Sequence, residues 1–164
     1  MIPDTFRKFF FPSITKRYLV RLILVALGSY FLFGYLLIPL SIQGKSMEPS
    51  YHDGSFTFCW RLRYAFSSPV RFDVVTVRFS GTKVMLLKRV VGLQGETIEF
   101  RKGRLYVNGS MVEEPYVRYQ SDWVLEPRKV SPGHVYVVGD NRGTSMDRHQ
   151  FGEVNLNRIA GGVL

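Results

Sequence analysis

The longest apolar stretch of the chain lies near its N-terminus. Residues 22–44 form a run without a charged side chain, and Leu, Ile, Val, Phe and Tyr dominate it. At about 1.5 Å of rise per residue, this run corresponds to about 30 to 35 Å of helix, enough to cross the hydrocarbon core of a bilayer. A soluble core helix with so uniformly apolar a surface would need more surrounding protein than this chain supplies. The pattern therefore predicts a single transmembrane anchor over residues 22–43.

Beyond residue 44 the apolar positions recur at a period of two, which is typical of half-buried strands. In the first such segment, residues 55–63, Phe56, Phe58 and Trp60 share one face. We expect these aromatic residues in the core, with an exposed aromatic edge at the membrane interface as the alternative. Further strands are predicted over residues 72–79, 83–91 and 134–138, with a hairpin over residues 96–107 and a polar loop over residues 113–132. Residues 44–164 are therefore predicted to form a mainly β domain.

The basic charge of the chain is unevenly distributed. The formal net charge is +9, and residues 1–21 hold five basic side chains against one acidic one. Basic residues before an apolar span predict a cytoplasmic segment over residues 1–21 and an extracytoplasmic domain over residues 44–164, in a plasma or inner membrane crossed once. They also favour contact with anionic lipid, so the bilayer is a predicted partner, whereas the scattered remaining charges predict no nucleic-acid partner. The lengths of the basic and apolar regions disfavour a cleavable signal peptide.

A serine follows the apolar run directly, in the segment GKSMEPS at residues 44–50. Gly44 permits the close approach of a substrate backbone, and Pro49 favours a turn that exposes Ser46. Attack on a carbonyl carbon also requires a proton acceptor and donors for the oxyanion. Ser46 is therefore a candidate nucleophile if the fold supplies a base, since most serines in turns only bond the local backbone.

Lys88 is the basic residue that fits the strand pattern least well. Alternation places it on the face shared by Leu86 and Val90. An exposed lysine has a pKa of about 10.4, so about one molecule in a few thousand is neutral at pH 7. Apolar burial can lower the pKa to about 7, a change worth about 4 kcal/mol. A buried Lys88 could act as a base, whereas on an edge strand its ammonium group would reach solvent.

A loop rich in Gly, Asp, Asn and Ser follows the predicted strand 134–138. Residues 139–148 combine side chains that bond their own backbone with closely spaced opposite charges, which is typical of structural braces. The three histidines show no metal-ligand spacing, and the single cysteine, Cys59, excludes an internal disulfide and suggests a partly buried residue without chemistry. No metal and no cofactor are predicted.

Residues 44–50, 88–92 and 139–147 resemble, in this order, the sequence boxes of type I signal peptidases. The resemblance extends from the apolar run to Gly152 and implies a membrane-bound serine endopeptidase with a signal-peptidase-like extracytoplasmic β domain, a Ser/Lys dyad and an acyl-enzyme intermediate. It implies that Ser46 is the nucleophile, that Lys88 is the general base and that Ser145 orients Lys88. Gly44 stands near the oxyanion site, where some relatives have a serine. The same resemblance implies a structural brace made of Asp140, Asn141, Arg142 and Asp147.

The substrates implied by the resemblance are exported preproteins, which lose their N-terminal signal peptides by cleavage after a small residue. The chain departs from the family pattern after Asp147. Relatives commonly continue with Ser-Arg, whereas here Arg148 and His149 follow, and either could pair with Asp147.

Other functions stay open at the level of sequence. Ser46 could belong to a conventional triad with His52 and Asp53, or with Asp147 and His149, but triads are recognised by geometry. A specialised Ser/Lys processing peptidase of the conjugative-pilin type, a self-cleaving repressor and a noncatalytic membrane-tethered β module that binds exported chains are further alternatives. The predicted anchor argues against the repressor.

Overall fold

The structure is a computed structural model that describes residues 15–80, 84–149 and 152–164. It divides into a helical unit that ends at Leu36 and a β unit, Leu37–Leu164. Most of the predicted cytoplasmic segment 1–21 lies outside the described residues.

The helical unit is apolar and bears no buried side chain. Helix α1 spans Lys16–Phe31 and continues as a π-helical turn over Leu32–Leu36. At its N-terminus, Oγ1 of Thr15 accepts a hydrogen bond from the backbone N–H of Tyr18 at 3.2 Å. Together the helical residues Lys16–Leu36 are long and apolar enough to cross a membrane.

This helical segment does not coincide with the predicted anchor over residues 22–43. It begins at Lys16 and ends at Leu36, and Leu37–Ser41 form strand β1, which pairs with β2 (Phe56–Trp60). Pro39 accounts for the difference, because proline interrupts helical hydrogen bonding but is tolerated in an edge strand such as β1. A continuous apolar run does not by itself separate a membrane helix from a strand that follows it.

Two antiparallel sheets build the β unit and confirm the predicted mainly β fold. In spatial order, the seven-stranded sheet consists of β1, β2, β11 (Ile159–Val163), β3 (Val74–Ser80), β4 (Val84–Gly92), β9 (His134–Val138) and β10 (Gly152–Asn155). The four-stranded sheet consists of β7 (Ser110–Met111), β6 (Arg104–Val107), β5 (Thr97–Arg101) and β8 (Leu125–Lys129).

Strand β4 is anchored by two clusters of buried apolar side chains. One cluster contains five valines of β3, β4 and β9, among them Val90. The other joins the second sheet to β4 and β9 and includes Val91, Phe100 and Trp123. Val90 and Val91, which are adjacent in β4, therefore pack in different clusters. Packing on both faces of the strand fixes the position of Lys88, which lies two residues before Val90.

The aromatic residues of β2 show where the core prediction is wrong. Phe56 and Trp60 are 63% and 42% exposed, whereas Thr57 and Cys59 between them are buried. The alternative, an exposed aromatic edge, describes these residues correctly. Alternation shows which side chains share a face, but packing against the rest of the fold decides which face is covered.

The structure also revises the predicted loop 113–132, because part of it is strand β8 and Trp123 is buried. The hairpin over residues 96–107 is confirmed. Strands β5 and β6 meet at Lys102 and Gly103, whose φ angles of 48° and 76° suit a two-residue turn with both central residues left-handed.

Candidate active site

Ser46 lies in a turn that packs against the loop after β9. The backbone N–H of Asn141 donates to the carbonyl oxygen of Ser46 at 3.1 Å, and Asn141 Nδ2 donates to the carbonyl oxygen of Lys45 at 3.0 Å. The two backbones approach so closely at Gly139 that a Cβ atom there would overlap the carbonyl oxygen of Ser46. Asn141 thus connects the loop after β9 to the Ser46 turn, and the close contact at Gly139 was not predicted from the sequence.

Gly44 shapes the entry to this turn. Its φ of +90° is one that side-chain-bearing residues rarely adopt. Its backbone N–H donates to Asp53 Oδ1 at 2.8 Å, so this N–H is already engaged and is not free for an oxyanion. Asp53, a candidate triad member, therefore serves the backbone of the turn. Within the described residues, no histidine is hydrogen-bonded to Ser46.

The side chain that reaches Ser46 is Lys88 of β4. Its Nζ lies 2.9 Å from the Ser46 Oγ, within hydrogen-bond distance. An ammonium group donates to the hydroxyl oxygen at this distance, while a neutral amine can accept the hydroxyl proton. Lys88 is only 4% exposed. The structure therefore brings the two residues together and withdraws the amine from solvent.

Burial lowers the pKa of Lys88 to about 8, although the negative charge of Asp140 raises it in part. At this pKa about one amine in ten is neutral at pH 7, compared with about one in a few thousand for a solvated lysine. This lowering of the pKa means that burial destabilises the ammonium form, relative to the neutral amine, by about 3 kcal/mol. Lys88 can thus supply a neutral base near neutral pH.

Asp140 is fully buried and is paired with the residue next to Lys88. Arg89 Nε donates to Asp140 Oδ1 at 2.8 Å and Arg89 Nη2 donates to Oδ2 at 2.6 Å, a bidentate ion pair. Arg89 Nη1 also donates to the carbonyl oxygen of Phe72 at 2.8 Å, and the guanidinium lies 4.0 Å from the ring centroid of Tyr116. From the sequence, alternation indicates only that Arg89 lies on the opposite face of the strand from Lys88. It does not predict the contact of Arg89 with Asp140.

Arg142 forms a second buried ion pair in the same loop. Its Nε donates to the carbonyl oxygen of Gly139 at 2.7 Å, and its Nη2 donates to Glu114 Oε1 at 2.8 Å. The hydroxyl of Tyr116 donates to the same Glu114 oxygen at 2.6 Å. Burial and the neighbouring Glu114 charge raise the pKa of Tyr116, so its hydroxyl stays protonated as a donor. Glu114 and Tyr116 fall in the predicted loop 113–132 and gave no sequence signal beyond their polarity.

Two residues of the resemblance lack the contacts expected of them. In the part of the chain that the structure describes, the hydroxyl of Ser145 makes no hydrogen bond to Lys88, and Asp147 is exposed without an ion pair. His149 is not the partner of Asp147. Its ring packs edge-on against Trp123 at 4.7 Å between centroids, and its Nε2 is hydrogen-bonded to Thr144 Oγ1. Burial, with the charges of Lys88 and Arg142, lowers the pKa of His149.

A small cavity of about 70 Å³ opens beside Ser46 and Lys88. Apolar residues, among them Ile42, Met47 and Leu86, form about half of its lining, and polar residues form the rest. A cavity of this size has room for a small side chain or a few water molecules. No group of His, Cys, Asp and Glu within the described ranges could hold a metal ion.

Most of the chain is similar to known proteins. The family model described as signal peptidase, peptidase S26, matches residues 15–164. The signal peptidase I of Bacillus caldolyticus is 36% identical over 136 residues, covering 74% of this chain and 74% of that protein. Signal peptidase I V of Bacillus subtilis is 35% identical over 138 residues, covering 76% and 82%. The crystal structure of a signal peptidase I from Enterococcus faecalis superposes with a TM-score of 0.50 at 31% identity, over 60% of this chain and 98% of that chain.

Proposed function

Because the chain belongs to the signal peptidase family, peptidase S26, it is a serine endopeptidase that removes signal peptides, and we propose that Ser46 and Lys88 carry out this reaction as nucleophile and general base. The observation that carries the proposal is the 2.9 Å separation of Ser46 Oγ and Lys88 Nζ in a site where Lys88 is only 4% exposed. A nucleophile within hydrogen-bond reach of a base with a lowered pKa is the arrangement that covalent catalysis requires.

The proposed reaction is acyl transfer in two steps. Neutral Lys88 accepts the hydroxyl proton as Ser46 Oγ attacks the scissile carbonyl carbon, and the resulting ammonium then protonates the leaving amine as the peptide bond breaks. An ester joins the N-terminal fragment to Ser46. Lys88, neutral again, accepts a proton from water, which attacks the ester, and the ammonium returns that proton to Ser46 Oγ as the fragment leaves.

The backbone N–H of Ser46 is the proposed donor to the oxyanion. Within the described residues it donates to no acceptor, whereas the N–H of Gly44 is engaged by Asp53. A backbone donor of this kind is oriented before substrate arrives, which is what stabilises developing charge. A second donor has to come from a group other than the Gly44 N–H.

The two buried ion pairs are proposed to position the dyad without touching substrate. Arg89 and Asp140 connect β4 to the loop after β9, and Glu114 holds Arg142 in that loop. This loop in turn bonds the backbone of Ser46 through Asn141. Ser145, in the same loop, is still proposed to orient Lys88. Among the described residues, this proposal rests on the family resemblance and not on a hydrogen bond between the two side chains.

The proposed substrates are exported preproteins with small residues at the cleavage site. The small cavity of about 70 Å³ beside the dyad supports this preference, since it favours short side chains next to the scissile bond. The proposed location is a cell membrane, with the N-terminus in the cytoplasm and the β unit outside. The apolar helical segment Lys16–Leu36 supports anchoring at the membrane.

The proposal is tested by preprotein cleavage with the full chain in detergent. We expect Ser46→Ala and Lys88→Ala each to lose at least about a thousandfold in kcat/KM, with Lys88→Arg equally inactive because guanidinium does not deprotonate. Replacement of His52, His134 or His149 by Ala should leave cleavage within about tenfold. Retained activity in Lys88→Ala would refute the dyad, and strong loss in one histidine variant would favour a triad.

The pH profile gives an independent measurement. With a pKa of about 8 for Lys88, kcat/KM should rise about tenfold per pH unit below pH 8 and level off above it. A profile that is flat between pH 6 and 9 would mean that no amine of this pKa limits the reaction.

A further inference from the structure

Lys88 and Arg89 are adjacent basic residues of β4 whose side chains point to opposite faces of the strand. Asp140 is completely buried, and both of its carboxylate oxygens accept hydrogen bonds from Arg89, at 2.8 Å from Nε and at 2.6 Å from Nη2. Lys88 forms no ion pair within the ranges that the structure describes. The buried carboxylate is therefore occupied by Arg89, and the amine of Lys88 is left without a counter-ion.

Asp140 is nevertheless close enough to act on Lys88. The residues on both sides of it contact Ser46, since the N–H of Asn141 donates to the Ser46 carbonyl oxygen at 3.1 Å and a Cβ atom at Gly139 would overlap that oxygen. The Oγ of the same serine lies 2.9 Å from Lys88 Nζ. Burial lowers the pKa of Lys88, and the negative charge of Asp140 raises it in part. A carboxylate without another partner at this position would favour the ammonium form much more strongly.

Arg89 is held in place by groups other than Asp140. Its Nη1 donates to the carbonyl oxygen of Phe72 at 2.8 Å, and its guanidinium lies 4.0 Å from the ring centroid of Tyr116. Phe72 has a φ of 73°, a left-handed conformation that an aromatic residue seldom adopts, and its N–H donates to the carbonyl oxygen of Val90 at 2.8 Å. Backbone strain of this kind is concentrated at functional sites. The fixed guanidinium can therefore determine where the carboxylate lies.

We propose that Arg89 is a positioning residue that holds the carboxylate of Asp140 away from Lys88, so that the amine keeps no counter-ion and can stay neutral. This role rests on the proposed function of Ser46 and Lys88, and it gives the ion pair an electrostatic part in addition to its mechanical one. A guanidinium does not lose its proton, so Arg89 neutralises the carboxylate across the whole working range of pH. Without that charge, the ammonium of Lys88 would be the cation that compensates Asp140, and the neutral amine would become rarer.

The other titratable groups that face Lys88 and Asp140 keep their charge between about pH 7 and 9. His149 faces Lys88 from the loop after β9, and burial, with the positive charges of Lys88 and Arg142, lowers its pKa, so the imidazole is neutral above pH 7. Tyr51 faces Asp140 from the turn that contains Ser46, and burial is the main cause that raises its pKa, so the phenol is neutral below pH 9. A midpoint of activity in this range therefore reports the amine.

The test measures kcat/KM for preprotein cleavage by the full chain in detergent, from pH 6 to pH 10. Arg89→Gln removes the charge but keeps a side chain that can donate to the carboxylate. Asp140→Asn removes the opposite charge, and the double variant Arg89→Gln with Asp140→Asn removes both. Arg128→Gln is the matched control, because Arg128 is an exposed arginine on the edge strand β8.

We expect Arg89→Gln to move the midpoint of the pH profile upward by about 1 pH unit or more, because a nearby opposite charge favours the ammonium by about this amount. Its kcat/KM then falls about tenfold at pH 7 and recovers towards the wild-type plateau at pH 10. The double variant lacks the carboxylate that attracts the ammonium, so its midpoint should return to the wild-type value or below it. Its kcat/KM at pH 7 should exceed that of Arg89→Gln, and Arg128→Gln should keep the wild-type profile.

A purely mechanical role of the ion pair gives a different result. Arg89→Gln would then lower kcat/KM equally at every pH, with an unchanged midpoint, and the proposal would be overturned. If Arg89→Gln does not fold, Asp140→Asn decides the question, since loss of the carboxylate should move the midpoint downward and an unchanged midpoint would contradict the proposal. Cleavage of the preprotein by Ser46→Ala or Lys88→Ala would instead refute the proposed function, whatever residue stands at position 89.

Discussion

The proposed base should destabilise the fold at neutral pH, and Lys88→Met tests this directly. Methionine has a similar length and no charge to desolvate. A solvated lysine has a pKa of 10.5, and burial lowers that of Lys88 to about 8. Below pH 8 the folded and unfolded chains both carry the ammonium, so the burial cost is fully present. From pH 8 to 10.5 the unfolded chain binds the proton that the folded chain has lost, and stability rises with pH.

Linkage between these two pKa values sets the size of the effect. The ammonium costs about 3 kcal/mol at pH 7 and about 1 kcal/mol at pH 10. We therefore expect Lys88→Met to raise the free energy of unfolding at pH 7, and its advantage over wild type to narrow by about 2 kcal/mol at pH 10. Changes in packing add an offset that does not depend on pH.

The measurement is urea unfolding of the β unit in the full chain, followed by fluorescence at pH 7, 8.5 and 10. Trp123 is buried and reports the loss of packing. Lys129→Met is the matched control, since Lys129 lies on an edge strand and is exposed. A difference between Lys88→Met and wild type that stays constant from pH 7 to 10 would refute the reasoning, because it would mean that the amine is solvated in the folded protein.

Two further substitutions test how the loop after β9 supports the site. Gly139→Ala places a Cβ atom on the carbonyl oxygen of the proposed nucleophile, so we expect its kcat to fall at least tenfold. The control Gly28→Ala has open space around its Cβ atom and should keep the kcat of wild type. Equal kcat values for the two variants would contradict the close approach of the backbones at Gly139. Glu114→Gln removes the charge that pairs with buried Arg142, and it should lower the free energy of unfolding by about 3 kcal/mol, as measured by urea unfolding. Exposed Glu126→Gln should have little effect, and a Glu114→Gln protein as stable as this control would show that the pair contributes nothing.

Local periodicity was enough to predict the features that depend on neighbouring residues. The uncharged run predicted an apolar helix, and alternation identified Lys88 as a cation on an apolar face. The hairpin at Lys102 and Gly103 followed from turn chemistry. The ordered boxes that contain Ser46 and Lys88 predicted the family, which the comparisons confirm. These features follow from the sequence because the period of a helix or strand is fixed by backbone geometry.

Tertiary structure alone decided which faces are covered and which distant charges meet. Alternation grouped Phe56 with Trp60, but the fold buried Cys59 instead. Arg89 and Asp140 are 51 residues apart, and their pairing depends on β9 lying beside β4. The amine of Lys88 can act as the proposed base only because the fold brings it to a hydroxyl 42 residues away and excludes water. Desolvation depends on everything packed around a group, so no local pattern in the sequence contains it.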